Sequence, residues 1–340
     1  MTVKNSLISR AVRYKRTKGA MATLLLVALG ILGLWMLARE TTLIYAANAL
    51  SQRLHGRLQA VDLRGSLLGT ITATELHYQD RFGKVSIKDA RLEWRPIRLL
   101  IGQVAVGAMA ANTVTIELAT SENESSKPPE SLAAPISFAV TDLQIATLSI
   151  VGPNVTQELH GLRAMFSGNG KQLKAEVKSL ATPYGALKGE IKIGAESPFV
   201  LDGNAELTAR DPHSYVATAM LAGNLLNAEA AVNAKARDGV VSAKLAVAPY
   251  DAQPLTQIEF TVNDFDLRDW ASNVPGVKLS GKGRLSADEA RQLRGTFEIK
   301  NSESGTIEDK KLPFAALSAV LHGTPQKLSQ PFGDWDHALR

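Results

Sequence analysis

From about Gly56 onward, apolar and polar residues alternate in short runs punctuated by Gly, Asn, Asp and Pro, the pattern of consecutive strands joined by tight turns. Val114, Ile116 and Leu118 share one face of a strand while Thr115 and Glu117 take the other. Leu173, Ala175 and Val177 oppose Lys174, Glu176 and Lys178; Leu187, Ile191 and Ile193 oppose Lys188, Glu190 and Lys192. Further runs follow at Ala90-Leu92-Trp94, Ile136-Phe138-Val140, Ala243-Leu245-Val247, Ile258-Phe260-Val262 and Phe297-Ile299. An antiparallel meander is the default arrangement of such segments.

In places the apolar phase slips by one residue, as between Ile71, Ala73 and then Leu76, Tyr78, or between Val85, Ile87 and then Ala90, Leu92. A slip of one turns the greasy face over unless a bulge absorbs it, so bulges are expected there. Residues 120–135 are polar and Pro-rich and read as a loop. Residues 211–226, opening with Asp211 and Pro212, predict a short helix on the sheet, and 264–274 a similar one.

Ahead of the β pattern, Gly19 to Ala38 runs 20 residues without a charge, enough as a helix to cross a ~30 Å hydrocarbon core. A cleaved signal peptide has a shorter apolar stretch with a small-x-small site close behind, whereas Ala47-Asn48-Ala49 lies far downstream. An uncleaved anchor is the expected reading, with residues 39–55 continuing as a helical stalk. Of the 38 Lys and Arg residues, six fall within the first 18 positions with no acid among them, leaving 32 basic residues against 33 acidic ones beyond. The cluster therefore orients the anchor with its N-terminus in the cytoplasm, and the exported body is close to neutral, which removes the nucleic-acid reading that a pI near 9.3 invites. The expected layout is a basic tail at 1–18, a transmembrane anchor at 19–38, the stalk at 39–55 and a repetitive periplasmic β body at 56–340.

Catalytic chemistry is hard to place. There is no cysteine, and the six histidines are scattered without metal-ligand spacing. No zinc-protease, nucleophile-elbow, phosphate-loop or dinucleotide motif occurs. Asp264, Asp266 and Asp269 lack the glycine and distal glutamate of a calcium loop and read better as a capped turn. The chain reads as a non-enzyme without a cofactor.

A half-polar sheet must cover its apolar face, with a second sheet as a sandwich or with a ligand lying in a curled trough. The alternation alone does not separate the two. Leu54 to Pro96 behind the anchor, with Gly65-Ser66-Leu67-Leu68-Gly69 leading into a hairpin that ends in Leu92, Trp94 and Pro96, resembles the start of TamB proteins and the wider AsmA-like group. Leu279 to Leu321 is similar to a repeating element of the same proteins. The resemblance implies an all-β fold: an N-terminal transmembrane helix, then an elongated, mostly antiparallel β-sheet curled into a trough with an apolar inner face.

It further implies a bridge-like lipid-transfer role in which phospholipids are the cargo, and a pairing with the outer-membrane barrel TamA in a translocation and assembly module. TamB chains are several times longer, so this sequence reads as an N-terminal part, with the region that meets TamA outside it. The residues expected to line the groove are Val114, Ile116 and Leu118, then Ile136 and Phe138, then Leu173 and Val177, Ile191 and Ile193, and Phe260 and Val262. Plain core packing is the alternative for each. A structural tether or chaperone module that accepts a partner strand at a sheet edge is the alternative function.

Overall fold

The computed structural model of the protein describes residues 35–80, 83–118, 128–152, 156–209, 214–251, 254–270, 274–288 and 292–323. Most of the expected membrane segment, residues 19–34, lies outside them, and no helix among the described residues is long and apolar enough to cross a membrane. The helix α1 (Glu40–Arg53) begins just after, with Glu40 in its first turn and Arg53 in its last, each at the end of the helix dipole that favours its charge.

The strands form one open sheet. β1 (Leu58–Val61) and β2 (Arg64–Gly65) share an edge of β3 (Thr70–Asp80), which pairs with β4 (Gly83–Trp94) and then β5 (Gln103–Leu118). The ladder continues through β6 (Ser137–Val151), β7 (Thr156–Gly168), β8 (Gln172–Thr182), β9 (Gly185–Gly194), β10 (Leu201–Thr208) and β11 (Tyr215–Gly223). It ends with β12 (Ala228–Ala236), β13 (Gly239–Val247), β14 (Leu255–Asp266), β15 (Lys278–Ala287), β16 (Leu293–Asn301) and β17 (Ala316–Gly323). From β3 onward each strand pairs with its neighbours in the sequence.

One junction departs from the expected meander, because β5 and β6 run parallel. The 18 residues between them have to return the chain along the full 16-residue strand before β6 starts. At ~3.3 Å per residue, 18 residues reach about 60 Å and the strand about 50 Å, so the connection is long enough for the return. Its described end is tied down where Leu132 N–H donates to the Ala195 carbonyl (2.8 Å) and Ala134 N–H to that of Asn169 (3.2 Å).

Two of the expected helices are corrected. Within 211–226 the chain forms strand β11, whose Ala217, Ala219 and Leu221 face Ala234, Val232 and Ala230 of β12. Its alanines carry strong helix propensity, and tertiary pairing overrides it. Among the described residues of 264–274 only Leu267–Asp269 is helical, a single 3₁₀ turn whose Asp266 carboxylate accepts the Arg268 N–H at 3.0 Å.

The phase slips expected to be bulges have no extra residue on either strand: paired strands skip together, in a row of interruptions. Thr74 and Asp89 drop out of the β3–β4 register, Asp89 and Asn112 out of β4–β5, Asn112 and Ala146 out of β5–β6, and Ala146 and Gly161 out of β6–β7. Asp89 takes φ 53° and Gly161 φ 63°, the left-handed region in which a residue reverses the side its neighbours point to. All these strands thus turn over at one level. Ala111 and Val114, three apart on β5, end up in one buried cluster with Ile145, packed by Ile87, Leu148 and Leu162.

Candidate functional site

The cross-strand registers show what this geometry achieves. Starting at Ile71, the directly opposed residues run Leu92, Met109, Leu143, Ala164, Val177, Gly189 and Ala205 through β10. They continue as Ala219, Val232, Ala243, Phe260, Gly283, Phe297 and Ala319 to β17. No polar side chain interrupts the row on fifteen successive strands. At ~4.8 Å between strands it extends about 67 Å along the sheet. A parallel row from Val140 and Phe166 to Ala175, Ile191, Gly203 and Leu221 is equally apolar.

The reverse face is polar in the same regular way. Lys188, Glu206, Thr218, Asn233, Ser242, Thr261, Lys282, Glu298 and Ser318 oppose one another from β9 to β17. Lys174 Nζ reaches Glu190 Oε2 at 2.9 Å, and Lys188 Nζ reaches Glu206 Oε1 at 2.9 Å. The hydrogen bond with Glu190 raises the pKa of Lys174, and the same bond with Lys174 lowers that of Glu190. Both side chains are about one-third exposed and lie on the water-facing side, so screening leaves the pair little weight in stability.

Ten of the eleven expected lining residues fall on the apolar face. Val177 and Phe260 lie in the first row, Ile191 in the second, and Val262 is flanked by Val241 and Gly281. Phe138, Leu173 and Ile193 form another row with Val104, Gly168 and Leu201, while Val114 and Ile116 oppose Leu148 and Ile150. Leu118 shares this face at the end of β5, opposite Gly83, where it is half exposed. Ile136 is the exception: it precedes the first residue of β6 and stands 48% exposed in a bend. Leu143, Ile145 and Leu162 were not among the expected positions because the row of reversals hides their phase from a simple count of two.

The face is only partly covered. Apart from Val114, which is 7% exposed, the lining positions are half-buried or exposed. Two short stretches close its margins. At one, Phe199 and Ala195 are buried against the starts of β8 and β10 by the turn between β9 and β10, where the Ala195 N–H donates to the Lys171 carbonyl. At the other, Trp270 stacks on Tyr215 at 4.4 Å and lies 5.3 Å from Phe265, beside fully buried Val277. Burial raises the pKa of Tyr215, whose hydroxyl donates to the Tyr184 carbonyl at 2.7 Å.

Glycines shape the floor between these margins. A Cβ on Gly168 would meet the Phe138 ring, and one on Gly283 would meet the Phe260 ring and the Cβ of Phe297. The aromatic rings thus lie over bare backbone, an arrangement that protects strand glycines from solvent. Chemically, the site offers a long apolar surface bounded by water-facing strands. Among the described residues no group of His, Asp and Glu side chains is placed to hold a metal ion. Comparison with protein-family models, curated proteins and solved structures finds no match for the chain.

Proposed function

We propose that the protein is held in a bacterial-type inner membrane by residues 19–38, with its N-terminus cytoplasmic and its bulk periplasmic. Its sheet, curled as a trough, shields phospholipid acyl chains for transport toward the outer membrane. The observation that carries this reading is the uninterrupted apolar row from Ile71 to Ala319, kept on one face by reversals and left partly uncovered. Moving an acyl chain through water forfeits about 0.8 kcal/mol for every CH₂, so a continuous greasy lining is the working part and no covalent step is needed. The sequence resemblance to TamB supports the same reading, and by that resemblance TamA is the proposed partner in outer-membrane protein assembly.

Photo-crosslinkers at Ile116, Val177 and Ile191 are expected to capture phospholipid in cells, and those at Glu117, Lys178 and Lys192 are not. Equal labelling of the two sets, or none, removes the conduit. The alternative of a tether or chaperone that accepts a partner strand is favoured by one feature: among the described residues, β17 pairs only through β16, and Val320 is exposed there. Pro substitutions along β17 separate the readings, since they abolish strand addition and spare lipid capture at Ile191.

A further inference from the structure

The turn between β4 and β5 carries an unusual surface. Pro96–Ile101 forms a short 3₁₀ helix closed by Gly102 in the left-handed region, and Ile97, Leu100 and Ile101 are 73%, 83% and 68% exposed. Leu99 is exposed beside them. Single exposed aliphatics are ordinary, but a contiguous group on one six-residue turn marks a contact surface. Arg95 and Arg98 flank it, and no acidic residue occurs from Trp94 to Ile116. Among the described residues Arg98 donates to the neutral Gln103 side chain at 3.2 Å and to no carboxylate, and Glu93 is engaged by Arg91. An apolar tip edged by arginines with no acidic partner complements an anionic lipid surface, where aliphatic groups enter the acyl boundary and guanidinium groups stay level with the phosphates.

Its position in the fold supplies a second, independent argument. β4 ends where β3 begins, Glu93 opposite Thr70, and the Leu67 N–H in the loop before β3 donates to the Leu37 carbonyl at 3.2 Å. The turn therefore lies at the strand end that meets residues 35–37, where the apolar stretch finishes. There the Arg39 guanidinium sits 3.6 Å over the exposed Trp35 ring, a pairing suited to a headgroup layer.

We infer that the Pro96–Ile101 turn is a second membrane contact, which inserts its aliphatic side chains into an anionic leaflet beside the anchor. The inference rests on the proposed anchor for where the bilayer lies, and not on lipid occupying the sheet face. It would set the first strands of the sheet directly against the membrane surface.

The chain contains no cysteine, so Leu100→Cys carrying an environment-sensitive fluorophore reports on this turn alone. The full chain is reconstituted in phosphatidylcholine vesicles with phosphatidylglycerol and acyl-brominated lipid, with labelled Lys188→Cys on the polar face as the reference. At position 100 the emission should shift to the blue and be quenched by the bromines, and at 188 neither should happen. Each of Arg95→Gln and Arg98→Gln is expected to weaken insertion about five-fold. A probe at 100 that is as wet as the one at 188 overturns the inference. Equal quenching in pure phosphatidylcholine vesicles overturns the preference for anionic lipid. Extraction of the protein by alkaline wash would count against the anchor, while quenching measured before the wash still decides the turn.

Discussion

The strands β4 to β7 and the strands β9 to β13 present the same apolar face in two different ways. The first group is long, up to 16 residues, and is crossed by the row of reversals at Asp89, Asn112, Ala146 and Gly161. Its lining is rich in Val, Ile and Leu, packed closely enough to bury Ala111, Val114 and Ile145. The second group pairs without a register shift, and its lining is dominated by Gly203, Ala205, Ala217, Ala219, Ala230, Ala234 and Ala243. Branched side chains fill their own face and make a small core. Alanine and glycine leave depth above the backbone, which is the room a guest chain needs. On the proposed function, the first region combines lining with a supporting core, and the second offers more room for an acyl chain.

A charge placed in each region tests this division most severely. Val114→Asp buries an unpaired carboxylate and is expected to cost about 4 kcal/mol, seen as loss of the cooperative transition in denaturant. Ile191→Asp sits on a half-exposed face, where it should cost about 1 kcal/mol and block lipid crosslinking while the protein stays folded. Similar losses at the two sites would erase the distinction.

The reversal at Asp89 gives a smaller effect. Asp89→Val forces a β-branched residue to φ 53° and removes the acceptor of the Asn112 side chain, a loss of about 2 kcal/mol, whereas Asp89→Gly keeps the conformation and most of the stability. Denaturant midpoints of the two variants measure it, and equal midpoints would show that the reversal is not constrained there.

The smallest effect belongs to the polar face. Because Lys174 lowers the pKa of Glu190, their pair stabilises the protein above the ordinary glutamate range, and the contribution disappears as pH falls through the depressed value. The complementary limit is alkaline, where the raised pKa of Lys174 is crossed. Glu190→Gln should barely move the denaturation midpoint at neutral pH and low salt, and not at all in strong acid or high salt. A large shift would give the polar ladder a structural weight that its exposure denies it.

The strands were legible because each carries the period of two with one greasy side, and the slips at Ile71 to Leu76 and Val85 to Ala90 announced the reversals that the structure contains. The expected meander describes every ladder from β3 onward except one. Periodicity carries no strand direction, so the parallel β5–β6 junction could not be read from it. β11 was misread because Ala, Met and Leu favour helices locally and only their partners on β10 and β12 decide otherwise. Most of the expected positions share the apolar face, but Leu143 and Ile145 lie between two irregular positions of β6, and their phase appears only once Ile145 is seen opposite Leu162. The exposed turn at Pro96–Ile101 looked like the end of a strand motif, since solvent exposure is a property of the folded chain.

The order of the strands in the sheet bears on how the protein is made. From β3 onward every ladder joins elements adjacent in the chain, so each new strand needs only the one before it as a template. For a polypeptide delivered N-terminus first, assembly can keep pace with emergence, because no strand waits for a distant partner. The β5–β6 crossover is the one step that must pause for a long loop to close. Past it, growth is repetitive, and an added hairpin lengthens the apolar surface by two strand spacings without disturbing the pairs already formed.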